Sequence, residues 1–404
     1  MSKDRKSLLV LGASRYQLDV ILAAKSLGYR VVSSDNVPTN PGHAVADRCY
    51  FVDTTDREAI LAIAQREGID AVLASATDVA VPTAAFVAER LGLKGPPYES
   101  TLVTCDKLAF RRFLSEHGFP SPLAEEVHDG SSPRLATNLE GRWIVKPNRA
   151  SGSKGVFIVD SASKLCQVLP ETLSHSRDGR ALVEQYIQGF QGTIEGVLRN
   201  GEIVHAFFLD RQTVAPPYVA TCGHHVPSLL PARLQRRAMD QLAELWRLLR
   251  VREGPFDCDF VATDDEIYLL EATPRLGGNS IARLLRAAAG VDLVEYAVLA
   301  ALARSPVELG QFDLRPTALV LLGAPEAGVL RYEKSEVYAL MREPWVLSIE
   351  MDLEPGAWVD AFKNGRHRVG EAIVTEHTRR DVDRRVVELR RRLNVRAVAS
   401  TRRR

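Results

Sequence analysis

Trp143-Ile144-Val145-Lys146-Pro147 runs, after Asn148-Arg149-Ala150, into Ser151-Gly152-Ser153-Lys154-Gly155-Val156. A strand that ends on a lysine and turns through a Gly/Ser-rich loop sets one fixed cation beside several free backbone N–H groups. That combination can clamp a polyphosphate. The loop lacks the GxxxxGK[ST] spacing of a P-loop. An ordinary connection between two strands therefore fits the same residues.

A second stretch lies downstream. Asp259 in FDCDFV and Glu271 in YLLEATPR sit on consecutive strands, Phe256–Ala262 and Ile267–Glu271, joined by the turn Thr263-Asp264-Asp265-Glu266. Two carboxylates projecting from neighbouring strands offer the hard oxygen ligands that Mg²⁺ shares with nucleotide phosphates. Solvated strand ends are the plain alternative. Arg275 follows, just before Gly277-Gly278. Its planar five-donor fork there could hold a carboxylate or a developing acyl phosphate.

Working outward, residues 1–100 alternate strand and helix. Ser7–Leu11, Arg30–Ser33, Cys49–Val52 and Ala71–Ala74 read as strands, and Tyr16–Leu27, Arg57–Glu67 and Val81–Leu91 as helices. Such βαβ alternation implies a parallel sheet covered by helices, with its ligand face near Gly12–Ser14, Asp35 and Thr77-Asp78. Gly12-Ala13-Ser14 invites a dinucleotide-fold reading but is not GxGxxG, and a plain strand-to-helix turn suffices. Residues 101–305 mix antiparallel strands with flanking helices, including the hairpin turn Asn200-Gly201. Residues 306–404 read as a small α+β unit whose last helix carries Val382, Val386, Leu389 and Leu393 at helical spacing.

Bulk properties narrow the classes. A chain of 404 residues with 46% hydrophobic and 25% charged residues has apolar surface enough to fold, and its length exceeds what one core fills. With 52 Lys+Arg against 51 Asp+Glu the net charge is +1, no reason to expect a nucleic-acid partner. Residues 379–404 hold eleven arginines. Their apolar stripe favours a solvated amphipathic helix, with Thr401–Arg404 frayed, over a nucleic-acid tail. Five scattered cysteines without a CxxC pair suit reduced thiols. MSKDRKSLLVLGAS lacks the long apolar stretch of a signal peptide, and no apolar run approaches the ~18–20 residues of a membrane span. The expectation is a soluble cytoplasmic protein with no membrane partner.

Taken together, the motifs resemble the ATP-grasp superfamily, in the branch of carbamoyl-phosphate synthetases, biotin carboxylases and, most closely, L-amino-acid (dipeptide) ligases. Asp106-Lys107 with Arg111-Arg112-Phe113-Leu114 and Gly118–Pro122 is similar to that family's DK…R..L…G.P.P segment. Lys146-Pro147 with Ser151–Val156 resembles its KP…GS.GV loop, and Val183–Ile187 its EE(F/Y)I hinge. Thr221–Ser228 (TCGHHVPS) resembles GH..P(A/S), and Pro274–Asn279 resembles PR.GGN.

The resemblance implies an ATP-grasp fold: a parallel α/β domain over 1–100, an ATP-grasp domain over 101–305 with a mobile lid at 112–190, and a small C-terminal α+β domain over 306–404. It implies ATP binding by Lys107, Lys146, Ser151, Gly152, Ser153, Gly155, Glu184, Gln185, Ile187 and Glu195, with Glu184 at the adenine or ribose. It implies Mg²⁺ (or Mn²⁺) on Asp259 and Glu271. Arg275 and Lys146 become catalytic, and Arg275, Gly277, Gly278, Asn279, His224 and His225 line the substrate. Metal binding by the His pair is disfavoured, because adjacent strand residues face opposite ways, whereas one pocket His or purely structural roles both stay open. Three departures stand out: Thr273 where Asn is frequent, Asp259 where Glu is frequent, and Thr77-Asp78 in place of an acidic pair.

The function implied is an ATP-dependent carboxylate–amine ligase. It would form an amide through an acyl phosphate, with small-molecule acid and amine as partners and a homodimer compatible with the resemblance. A bicarbonate- or formate-activating enzyme of purine biosynthesis or carboxylase type shares the same ATP chemistry. A non-catalytic nucleotide-binding protein is the rival of a different class.

Overall fold

A computed structural model of the chain describes residues 5–128, 141–304 and 313–399. The frayed end expected at Thr401–Arg404 and the boundary expected at 305/306 lie outside the described residues. The first unit is a four-stranded parallel sheet in the order Arg48–Tyr50, Arg30–Ser34, Ser7–Leu11, Ala71–Ala74. Ser7–Leu11 is buried along its whole length and apolar from Leu8 onward, as suits a central parallel strand covered on both faces. At its carboxyl end the Gly12–Ser14 loop satisfies its own polar groups. Ala13 N–H donates to Asp35, and Ser14 closes a capping box with Gln17 on the helix Arg15–Ser26. No N–H of Ala13 or Ser14 is left for a phosphate, so this is a strand-to-helix turn.

The centre of the molecule is an eight-stranded antiparallel sheet. Its order is Ile267–Thr273, Gly254–Ala262, Phe190–Arg199, Glu202–Thr213, Thr221–Val226, Thr317–Leu322, Gly370–Thr375, Val346–Met351. The Asn200-Gly201 turn forms as read, both residues taking positive φ (56° and 88°). One face is covered by the helix Ala232–Leu248, which buries Leu242, Leu245 and Trp246 on Phe256 and Phe260. The opposite face meets Ile281–Ala289, Leu293–Ala301 and the first sheet in one apolar cluster that joins Leu8 and Val10 to Leu284 and Leu319.

A smaller antiparallel sheet, in the order Ala124–His128, Arg180–Gln185, Trp143–Pro147, Phe157–Val159, carries the helix Ala162–Ser174 on its core of Val127, Val145, Phe157 and Leu165. It holds the Lys146 strand over the edge of the large sheet.

The region expected as a small α+β unit over 306–404 is joined to the central sheet. Its strands Thr317–Leu322, Gly370–Thr375 and Val346–Met351 continue the central sheet, because Thr221–Val226 pairs directly with Thr317–Leu322. The region nonetheless builds a core of its own: the helix Arg379–Leu393 buries Val382, Val386, Leu389 and Leu393 in one cluster with Val320, Leu322, Leu330, Val337, Trp345 and Val374. Several of its arginines are tied locally, Arg379 to Asp210 (2.6 Å) and Arg392 to Glu343 (2.7 Å).

Candidate active site

Lys146 ends its strand buried, with Nζ 2.5 Å from Glu184 Oε1 on the neighbouring strand. Arg111, from the helix Lys107–Glu116, donates through Nε to the other Glu184 oxygen at 2.9 Å. Burial acts upward on Glu184, but Arg111 and Lys146 outweigh it and hold the carboxyl below its usual range. Burial pushes Lys146 down to about 8 despite Glu184 beside it, with Arg111 adding to the fall. Glu184 is therefore engaged as the counter-ion of two cations, one on each carboxylate oxygen. Gln185 N–H is likewise taken, by the Leu123 carbonyl at 2.8 Å. Ile187 lies just beyond that strand's end.

Lys107 points from its helix to Glu271 Oε1 at 3.1 Å and donates to the Ala150 carbonyl at 3.2 Å, which ties the helix to the start of the Gly/Ser loop. Within that loop Gly152, Ser153 and Gly155 all take positive φ. Gly155 tolerates no side chain: an added Cβ would stand 2.9 Å from the His175 ring. Gly152 C=O accepts from Gly365 N–H at 3.0 Å, so the C-terminal region braces the loop. Among the described residues Lys154 has no carboxylate partner; burial, then Arg366 and Arg177, lower it to about 8.

Asp259 and Glu271 are direct register partners across their two strands. Asp259 receives Thr193 Oγ1 at 2.6 Å and Arg211 Nη1 at 3.1 Å. Burial raises Glu271, yet Lys107 and Lys146 overcome it and set the carboxyl at about 2. Glu271 is thus ionised at neutral pH, next to a second carboxylate, with cations converging from three elements. The pair is a fitting donor set for Mg²⁺ shared with phosphate oxygens.

The next acidic residue along the same strand face, Asp257, was not read from sequence. Asp257, two before Asp259 and so on its side of the strand, pairs in register with Glu195 and with Thr273. That i, i+2 spacing was the available signal. Glu195 lies away from the lysines, accepting Gly277 N–H on both oxygens at 3.0 Å. Burial and the adjacent Asp257 push Glu195 well above its ordinary value, while burial, opposed by Arg275, pushes Asp257 up to about 6. Gly277 must be glycine here, because a Cβ would stand 2.3 Å from Glu195 Oε2 and 2.9 Å from Asp257 Oδ1.

Arg275 is buried between units. Its Nη1 reaches Asp257 at 2.7 Å, and Nε reaches Asp78 at 2.9 Å, with Nη2 on the same Asp78 oxygen. Thr273, the departure noted above, donates to that oxygen too, at 3.3 Å. Each guanidinium nitrogen has a carboxylate partner, so Arg275 fastens the first sheet to the site instead of standing open to substrate. Ala76 N–H accepted by the Leu276 carbonyl, at 3.1 Å, repeats that link in the backbone. Gly278 adjoins Ala76, and Asn279 and Ser280 both take left-handed backbone before the helix Ile281–Ala289.

The two histidines part company as strand alternation requires. His225 turns to Asp383 of the last helix (Nδ1–Oδ1 2.7 Å) and is structural. His224 pairs in register with Arg211, on the face that bears Asp259, and among the described residues neither of its ring nitrogens has a partner although the residue is 2% exposed. Burial, then Arg211 and His225, lower it to about 3, so the ring is neutral.

Residues 104–279 match the family model of the ATP-grasp domain. Over 400 residues the chain is 26% identical to the formate-dependent phosphoribosylglycinamide formyltransferase of Burkholderia thailandensis, spanning 92% of this chain and 96% of that one. Among solved structures it is similar to the L-amino acid ligase of Bacillus licheniformis, with a TM-score of 0.82 at 18% identity over 99% of this chain and 100% of that one. It is also similar to the biotin carboxylase domain of Hydrogenobacter thermophilus 2-oxoglutarate carboxylase, solved with MgADP, ADP and bicarbonate. There the TM-score is 0.69 at 19% identity, over 95% and 89% of the two chains. At such identities these two structures speak for the fold.

Proposed function

We propose that the chain, whose residues 104–279 match the ATP-grasp domain, is an ATP- and Mg²⁺-dependent ligase-type enzyme that activates a small carboxylate of the formate type as an acyl phosphate and transfers the acyl group to an amine. The observation that carries the reading is the convergence of Lys107, Lys146 and Arg211 on the facing carboxylates Asp259 and Glu271. The full-length similarity to a formate-dependent formyltransferase supports a small acid over an amino acid.

In this reading a substrate carboxylate oxygen attacks the γ-phosphorus of ATP, the bond to the bridging oxygen breaks, and ADP leaves. The amine then attacks the acyl carbon and inorganic phosphate departs. Lys107 and Lys146 offset charge on the transferring phosphoryl group, and Glu184 with Arg111 holds Lys146 in place. Asp259 and Glu271 would hold Mg²⁺, which supplies charge neutralisation across the phosphates. The Gly152–Gly155 loop, braced by Gly365, would keep water from the acyl phosphate. Arg275 serves as a positioning residue for the Gly277-Gly278 backbone, and neutral His224 can donate to an acid oxygen without adding charge.

A second reading, with an amino acid as the activated carboxylate, is supported by the Thr221–Ser228 and Pro274–Asn279 segments. ADP release measured across formate, acetate, bicarbonate and amino acids, each with an amine panel, separates the two. Formate-dependent release supports the first. Release only with amino acids supports the second, and ADP binding without any acid-dependent release sinks both.

A further inference from the structure

The connection 214–220 leaves the central sheet between Glu202–Thr213 and Thr221–Val226 and closes on itself, Val214 N–H donating to the Ala220 carbonyl at 2.9 Å. A compact loop with joined ends keeps its shape through its own packing. Its middle does not lie on the sheet that carries it but crosses to the smaller sheet that bears Lys146. Ile158 N–H, on the outer strand Phe157–Val159 of that sheet, donates to the Pro217 carbonyl at 2.8 Å. The Tyr218 ring stands 5.7 Å from the Phe157 ring and packs against the core of Val127, Val145 and Leu165.

The same Tyr218 ring lies under Lys363 Nζ, 5.1 Å from its centroid. Lys363 opens the turn that reaches Gly365, whose N–H donates to the Gly152 carbonyl of the Gly/Ser loop at 3.0 Å. The Gly365 carbonyl in turn accepts Tyr16 O–H, from the first helix, at 3.3 Å. Four parts of the chain therefore meet here: the edge of the smaller sheet with its loop, the connection 214–220, the turn 363–365 and the first helix. An outer strand whose N–H groups would face water is completed by the body of the molecule. Each tie is a single hydrogen bond or ring contact, Tyr218 is half-buried and Lys363 exposed, so the junction can part without opening the central core.

We propose that the connection 214–220 and the turn 363–365 form a clasp that holds the smaller sheet and its Gly/Ser loop down over the nucleotide site, with Tyr218 as the positioning residue on which it closes. The proposal rests on the reading above in placing a nucleotide beside Lys146, and it adds the device that keeps the nucleotide there. Opening of such a cover sets how fast a bound nucleotide leaves.

Hydrogen-exchange mass spectrometry of the whole chain without nucleotide, and the dissociation rate of N-methylanthraniloyl-ADP with Mg²⁺ present, test it. In Tyr218→Ala, peptides covering 143–159 should exchange about tenfold faster while those covering 254–273 keep the parental rate, and the ADP probe should leave about tenfold faster. Tyr218→Phe keeps the ring and should match the parent in both measurements. Lys363→Met, at an exposed position outside the core, should raise both rates about threefold through the loss of one cation–π contact. Parental exchange over 143–159 in Tyr218→Ala overturns the proposal. So does faster exchange with unchanged ADP dissociation, or an acceleration spread equally over 254–273. Failure of the nucleotide-site reading is registered separately, as no binding of the ADP probe by the parent, and exchange over 143–159 then decides whether the clasp holds the sheet.

Discussion

His224→Leu should make the protein less sensitive to acid. His224 is enclosed without a partner for either ring nitrogen, between Arg211 and Leu319 in register, and stays neutral until about pH 3. Once the chain unfolds, the ring returns to its ordinary value of 6.5. Between those values the unfolded state binds the extra proton, so stability rises with pH across the window and falls as pH drops through it. The whole span corresponds to about 5 kcal/mol, of which about 2 kcal/mol is lost between pH 7 and pH 5. Leucine fills a similar volume and binds no proton. Urea unfolding of both proteins at pH 7 and pH 5 supplies a double difference in which every other titrating group cancels. The wild type should lose about 2 kcal/mol more than the variant over that interval. Equal losses would show that His224 is solvated or paired in the folded state, and the reasoning would fail. The same variant bears on function: a protein as stable as the parent at pH 7, yet slower in acid-dependent ADP release, would mark His224 as a group kept for the substrate at a cost in stability.

Three further outcomes follow from the site. Glu271→Gln removes one Mg²⁺ donor and the partner of Lys107, so ADP formation should fall by on the order of 10²–10³-fold with a near-parental melting temperature; undiminished turnover across a Mg²⁺ titration would remove Glu271 from the metal set. Lys146 carries its charge below about pH 8, so ADP affinity should weaken as pH rises through that value. Lys146→Met should bind ADP weakly with a flat profile, and a parental profile in the variant would contradict the assignment. Arg275→Met leaves Asp78 and Asp257 buried without their cation and should destabilise the fold by about 3–5 kcal/mol in urea; a loss below about 1 kcal/mol would mean the pair is solvated.

The hairpin 254–273 with its two metal-type carboxylates, the lysine-ended strand at 143–147 and the Asn200-Gly201 turn were legible because each is a local pattern: strand alternation, a loop composition, a turn that needs two positive φ angles. What escaped was set by partners far apart in the chain. Glu184 reads as a hinge residue, and nothing local to it announces the ion pairs that Arg111 and Lys146 bring to its two oxygens from other elements. Arg275 reads as an open cation until Asp78 reaches it from the first sheet. Leu293–Ala301, almost uniformly apolar, shows no face to read because several sides of it are covered.

The unbroken central sheet also bears on how the chain is made. Thr221–Val226 is an interior strand only because Thr317–Leu322 pairs with it. During synthesis it is therefore an open edge until the helices Ala232–Leu248, Ile281–Ala289 and Leu293–Ala301 and that strand have left the ribosome. An edge left waiting in a nascent chain is a place where another chain can add. Its residues are suited to the wait: Val226 precedes Pro227, which cannot extend the ladder, and His225 turns a polar ring outward until Asp383 arrives with the last helix.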